Sequence, residues 1–122
     1  NCIIYFFSSP ARIRAINTST GIIETVVGSG TPGSTIVEND PLATQIGPSI
    51  PDLFVDPSDS SLYICDRVNL RVLRYSRTPT PTIERWAGTG LFTTRSQGQR
   101  QNISLHGPIS ITKDNQGFFY IG

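Results

Sequence analysis

The sequence predicts an all-β chain built from repeated four-stranded antiparallel units. Three observations carry that expectation. Tyr5, Tyr63 and Tyr120 recur at intervals of 58 and 57 residues, each inside a short apolar run: "IIYFF", "LYIC" and "FFYIG". "IIETVVGSG" at 22–30 matches "TIERWAGTG" at 82–90, so at a constant offset of 60 Ile23 meets Ile83, Glu24 meets Glu84, Gly28 meets Gly88 and Gly30 meets Gly90. Composition also disfavours helix: there is one lysine and no methionine, and the 11 glycines and 9 prolines are scattered as turn residues. Threonine, isoleucine, valine and aromatics suit a pleated, half-buried surface. Self-similarity at a fixed period is the mark of a repeat architecture.

The elements follow in order. Residues 1–30 read as three strands, closed by Gly28-Ser29-Gly30. Residues 31–50 form a polar connection. Within it "ENDPLATQI" (38–46) allows a single helical turn, with Asp40 capping and Pro41 in the first helical position. Residues 51–90 form a complete unit with strands at about 52–55, 61–65, 70–76 and 82–87. Pro51 opens this unit 12 residues before Tyr63, as Pro108 stands 12 residues before Tyr120. Asp59-Ser60 and Asn115-Gln116-Gly117 supply hairpin turn chemistry, and "TPTPT" (78–82) supplies another turn. Residues 91–107 form a second polar connection, and 108–122 give the first two strands of a third unit. Connections this long without strands of their own are often functional.

Four-stranded units repeated along a chain are the sequence sign of a β-propeller. A single twisted meander leaves a face uncovered, and stacking it on the next meander buries that face. The expectation is a partial propeller of about two blades' worth of chain, with further blades supplied by the same longer chain.

Charge and composition narrow the functions. A net charge of +1 gives no global field for nucleic acid or an anionic membrane. The longest apolar run, Cys2 to Phe7, is far too short to span a bilayer and lacks the flanks of a signal peptide. Cys2 and Cys65 are the only cysteines, and their spacing leaves pairing open. His106 is the only histidine, which leaves too few ligands for a metal. Nothing matches a serine-hydrolase elbow or a phosphate-binding loop, because the Gly-x-Gly pairs end strands instead of opening helices. No cofactor or metal is expected, and the chain leans away from being an enzyme.

The candidate site lies in "LYICDRVNLRVLRY" (62–75). Asp66, at the end of a strand, can accept backbone N–H groups of the following turn; Asn69 tolerates turn or left-handed geometry. Arg71 is spaced to reach back to Asp66 across the hairpin with a charge-assisted bond. Repetition favours a structural turn motif for Asp66, Asn69 and Arg71 over a catalytic one. Arg67, Arg74 and Arg77, with Arg71, could instead form a basic face for RNA backbone or an acidic protein, or be solvated or paired with Asp66 and Glu84. Trp86 could be an exposed recognition aromatic or could pack between blades. Asn17 and Asn102 head Asn-x-Ser sequons in expected loops, which lean weakly toward an extracellular setting.

Taken together, "LYICDRVNLRVLRY" resembles the core of the NHL repeat, where an apolar strand and Asp precede Asn-x-Arg-aliphatic. Asp66, Asn69, Arg71 and Val72 fall on that pattern, as do Gly28, Gly30, Gly88 and Gly90 on its glycines and Pro51 and Pro108 on its entry proline. The first copy departs from it, reading "SSPAR" where the second reads "DRVNLR". The resemblance implies four-stranded NHL-like blades and a non-catalytic scaffold for a protein or peptide partner. It also admits a fragment of a lactonase-like or lyase-like propeller enzyme with metal ligands in other blades, or an RNA-binding propeller. At this net charge nucleic acid is the weaker expectation.

Overall fold

The structure, a computed structural model, describes residues 2–92 and 97–122. It is all-β, with nine strands among the described residues: β1 (Ile3–Ser8), β2 (Arg12–Asn17), β3 (Ile23–Val27), β4 (Leu53–Val55), β5 (Leu62–Asp66), β6 (Arg71–Ser76), β7 (Thr82–Ala87), β8 (Ile111–Lys113) and β9 (Phe119–Ile121). These form three antiparallel sheets in simple chain order, β1-β2-β3, β4-β5-β6-β7 and β8-β9. Only the middle sheet has four strands among the described residues. Among the described residues no helix is long and apolar enough to cross a membrane.

The repeat read in the sequence reappears in the hydrogen-bond register. Ile13 stands opposite Val27 and Val72 opposite Ala87; in both hairpins the register then slips by one residue, between Ile13 and Arg14 and between Val72 and Leu73. The same β-bulge thus sits at the same place in β2 and β6, adding local twist. Gly28 (φ 105°) and Gly88 (φ 86°) follow the closing strands. A Cβ on Gly28 would run into the Ala11 carbonyl, and one on Gly88 would lie 2.7 Å from the Leu70 carbonyl. Backbone approach and left-handed geometry both demand glycine there.

The connections dock in matching ways. Gly28 N donates to Pro41 O and Ser29 N to Thr44 O, each at 3.0 Å. Gly88 N donates to Arg100 O at 2.8 Å and Thr89 N to Ile103 O at 3.0 Å. Residues 40–44 make one helical turn: Ala43 N and Thr44 N both donate to the Asp40 carbonyl, and the Asp40 carboxylate accepts Ala43 N at 3.2 Å.

Two hydrophobic clusters hold the sheets face to face. The first joins Ile13, Ala15 and Val27 of the three-stranded sheet to Leu62, Ile64, Leu73, Tyr75 and Ile83 of the middle sheet, with Ile46 from the connection. The second joins Tyr63, Cys65, Val72 and Ala87, on the opposite face of the middle sheet, to Ile111, with Phe119 and Ile121 packed against it. All five residues of β5 are buried: Leu62 and Ile64 enter the first cluster, Tyr63 and Cys65 the second, and Asp66 is covered by hydrogen-bonding partners. The tyrosines hold matching places pairwise: Tyr63 lies opposite Phe54 and Tyr120 opposite Thr112 in the preceding strand, while Tyr5 lies opposite Ala15 as Tyr63 lies opposite Arg74 in the following one. Their surroundings differ. Tyr5 packs against the first cluster and Tyr63 is buried in the second, whereas Tyr120 is 58% exposed on a strand with one neighbour.

Candidate functional site

The most connected polar group lies where β5 turns into β6. Asp66 closes β5 and is completely buried; Arg71 opens β6 directly opposite it. Arg71 Nε donates to Asp66 Oδ2 at 2.9 Å, Asn69 Nδ2 donates to the same oxygen at 2.9 Å, and Gly47 N donates to Oδ1 at 3.0 Å. A buried carboxylate requires such partners, since an unpaired charge there would be very costly. The donors also reach outward into the 31–50 connection. Asn69 Nδ2 donates to Gly33 O at 2.8 Å, Arg71 Nη1 to Ser34 O at 2.8 Å and Arg71 Nη2 to Gln45 O at 3.1 Å. Three side chains of one turn therefore fasten the connection that enters the middle sheet. The left-handed backbone of this turn falls on Leu70 (φ 56°), not on Asn69, whose side chain is committed to Asp66 and Gly33.

Beside this clasp is a cleft of about 420 Å³. Arg71, Arg85, Asn69, Ser34, Thr89 and Val68 line it, and no carboxylate does. Arg85 is held by Nη1, which donates to Gly88 O and to Gln101 O (2.7 Å). Sequence reasoning passed over Arg85. Its signal was faint, a lone arginine among the apolar residues of a closing strand.

The other arginines disperse. Arg67 is exposed in the turn, with its aliphatic part alongside Gly107. Arg74 pairs within its own sheet, with Asp59 at 3.1 Å and Glu84 at 3.6 Å. Arg77 crosses to the three-stranded sheet and meets Glu24 at 2.6 Å. Its Nη1 is buried without a hydrogen-bond partner. Trp86 sits between the middle and last sheets, with its ring 4.9 Å from Tyr63 and 4.6 Å from Phe119, and the Arg100 guanidinium 5.1 Å above it. Asn17 is the last residue of β2, paired with Ile3, and not in a loop as expected; it accepts Ser19 N at 2.9 Å, while Asn102 is exposed on the second connection. His106 stacks on the exposed Phe92 at 4.1 Å.

Two aspartates that sequence reading left unassigned join the middle and last sheets. Asp52 Oδ2 accepts Ile111 N at 3.0 Å. Asp56 accepts Lys113 Nζ at 2.8 Å, Ser58 N at 2.9 Å and Ser58 Oγ at 2.8 Å. Burial pushes the Asp56 pKa upward, but the Lys113 and Ser58 hydrogen bonds overcome this and bring it down to about 2. Cys2 and Cys65 are free thiols, the first exposed and the second buried. Burial, with the nearby Asp52 charge, raises the Cys65 thiol to about 12. Among the described residues no three His, Cys, Asp or Glu side chains gather closely enough to share a metal ion.

No protein-family model matches this chain, and no curated protein matches it.

Proposed function

We propose that the chain is a segment of an NHL-like β-propeller that acts as a non-catalytic scaffold for a protein or peptide partner. The observation that carries this reading is the clasp of Asp66, Asn69 and Arg71 on Gly33, Ser34, Gln45 and Gly47. It fixes a long connection against a turn instead of leaving it loose, and loops held by a rigid scaffold are the usual carriers of recognition. The repeated bulge, the repeated glycines and the matched docking of both connections support stacked blades. Large apolar side chains stand exposed on the turn after β5 and on the connection after β7: Val68 at 53%, Leu91 at 65% and Phe92 at 76%. Exposed apolar groups gathered at one end of a sheet favour a macromolecular contact.

Selection from a displayed random-peptide library, followed by hydrogen exchange on the complex, tests this. The expected result is enriched peptides that slow exchange at residues 33–37, 67–70 and 88–91. Enrichment of nothing, or protection confined to the turns at 56–61 and 77–81, overturns it.

A further inference from the structure

We propose that the cleft beside the turn between β5 and β6 is an anion subsite that receives a carboxylate side chain of an acidic peptide partner. The proposal deepens the scaffold reading and rests on it.

The lining is one-sided in charge. Arg71 and Arg85 bring two guanidinium groups to a cleft with no acidic side chain in its wall. Asp66 neutralises Arg71 from behind the wall, so the uncompensated charge in the cleft is that of Arg85. A guanidinium has five N–H donors. Arg85 spends only Nη1 on protein acceptors, both of them neutral carbonyls, and forms no ion pair among the described residues. Carbonyls hold such a group in place without neutralising it. The remaining edge of the fork matches a carboxylate in geometry and charge. Ser34, Asn69 and Thr89 add polar side chains around the same space.

Arginines occupy both ends of the middle sheet: Arg74 and Arg77, with Lys113 near them, are paired with carboxylates at one end, whereas Arg67, Arg85 and Arg100 at the other form no ion pair among the described residues. The strands alternate in direction, so the turn at 67–70 and the end of β7 lie at one end and the turns at 56–61 and 77–81 at the other. Arg67, Arg71, Arg85 and Arg100 gather at the first end: Arg100 offers its carbonyl to Gly88 N and its guanidinium to Trp86. Asp56, Asp59 and Glu84 belong to the far end or to the strand running from it. Glu38 and Asp40 ride on the part of the connection that reaches Ile83 at the start of β7. Asp52 is turned inward onto β8. An acidic peptide approaching this end meets a local positive field, although the chain's net charge is only +1.

A peptide is favoured over nucleic acid because Arg85 offers a single carboxylate-sized fork in the cleft instead of a row of cations tracking a backbone, and because the Tyr63–Trp86–Phe119 cluster packs between sheets.

The test is fluorescence anisotropy with labelled polyglutamate, polylysine and oligouridylate at low salt, on the wild type, Arg85→Gln, Val68→Glu and Arg77→Gln. Val68 is exposed, so Val68→Glu adds a competing carboxylate without disturbing the core. Thermal melting checks that each variant is folded. The expected result is saturable polyglutamate binding, weakened roughly tenfold or more by Arg85→Gln and by Val68→Glu and unchanged by Arg77→Gln. Absence of saturable binding, equal binding by all four proteins, or tighter binding of oligouridylate than of polyglutamate overturns the proposal. Should the peptide selection instead enrich neutral or basic peptides at the same loops, the scaffold reading stands and the anion subsite falls.

Discussion

Lys113 Nζ donates to Asp56 Oδ2 at 2.8 Å, and this bond crosses from the two-stranded sheet to the turn between β4 and β5. Among the described residues it is one of two charged links between neighbouring sheets, the other being Arg77 to Glu24 at 2.6 Å. Asp56 is nearly buried, while Glu24 is half-exposed and screened by solvent. The first link is therefore the one with consequences for folding.

Its pH dependence follows from the lowered carboxylate. Asp56 falls from 3.8 to about 2 on folding, so the folded state holds its proton less tightly than the unfolded chain. The stabilisation is complete above about pH 4 and is lost as pH drops toward 2. Urea midpoints measured through that window should decline in the wild type and decline less in Asp56→Asn. Equal slopes would show that Asp56 is not the group responsible.

Removing Asp66 strands Arg71 in a buried setting and unpairs Gly47 N. Asp66→Ala should cost about 3–5 kcal/mol in chemical denaturation. The double variant Asp66→Ala/Arg71→Met should cost less than the sum of the two single changes, because the buried charge is then gone as well.

The glycines give a graded series. Gly88 and Gly117 both have positive φ, but a Cβ on Gly117 meets nothing within 4 Å, whereas one on Gly88 presses on Leu70 O at 2.7 Å. Gly117→Ala should cost about 1–2 kcal/mol for the left-handed backbone alone. Gly88→Ala should cost about 1–3 kcal/mol more for the clash. Melting temperatures of the two variants in one buffer decide the order.

Thiol titration separates the cysteines. With Cys65 buried and its pKa raised to about 12, only Cys2 should react with an aromatic disulfide reagent at mildly alkaline pH. Cys65 should follow only on adding denaturant. Two fast thiols in the folded protein would contradict the packing of β5.

Trp86 reports on the contact between the middle and last sheets. Trp86→Ala should lower stability by about 3 kcal/mol, since the indole contacts Tyr63 and Phe119. The wild-type emission should be blue-shifted relative to the unfolded chain and should move red as the sheets separate.

Much of the fold is legible in the sequence because its signals are local. Alternating apolar runs mark strands, and Asp59-Ser60 and Asn115-Gln116-Gly117 mark turns, each within a few residues. The offset of 60 aligns Gly28 with Gly88, but the bulge beside each shows only in the hydrogen-bond register. At the clasp, Asp66 and Arg71 are five residues apart, and their facing positions follow from a hairpin. The carbonyls that accept from Asn69 and Arg71, at Gly33, Ser34 and Gln45, lie 26 to 37 residues away, and no short-range pattern announces a backbone carbonyl. The role of Asp56 was hidden for the same reason, since its lysine is 57 residues downstream. The exposure of Tyr120, despite its shared register with Tyr63, depends on what lies beside the sheet and not on its own strand.

The arrangement of the two apolar clusters gives the assembly a polarity. Each sheet turns its tyrosine side toward the one after it and receives the preceding sheet on its other side, as Tyr5, Tyr63 and the Leu62–Ile64 pair show. The outward sides that remain, one bearing Ile4 and the other Tyr120, are consequently unlike surfaces. Two molecules of this chain meeting through those sides would join front to back, as an open-ended or ring-closing series, and not as a pair related by a two-fold axis.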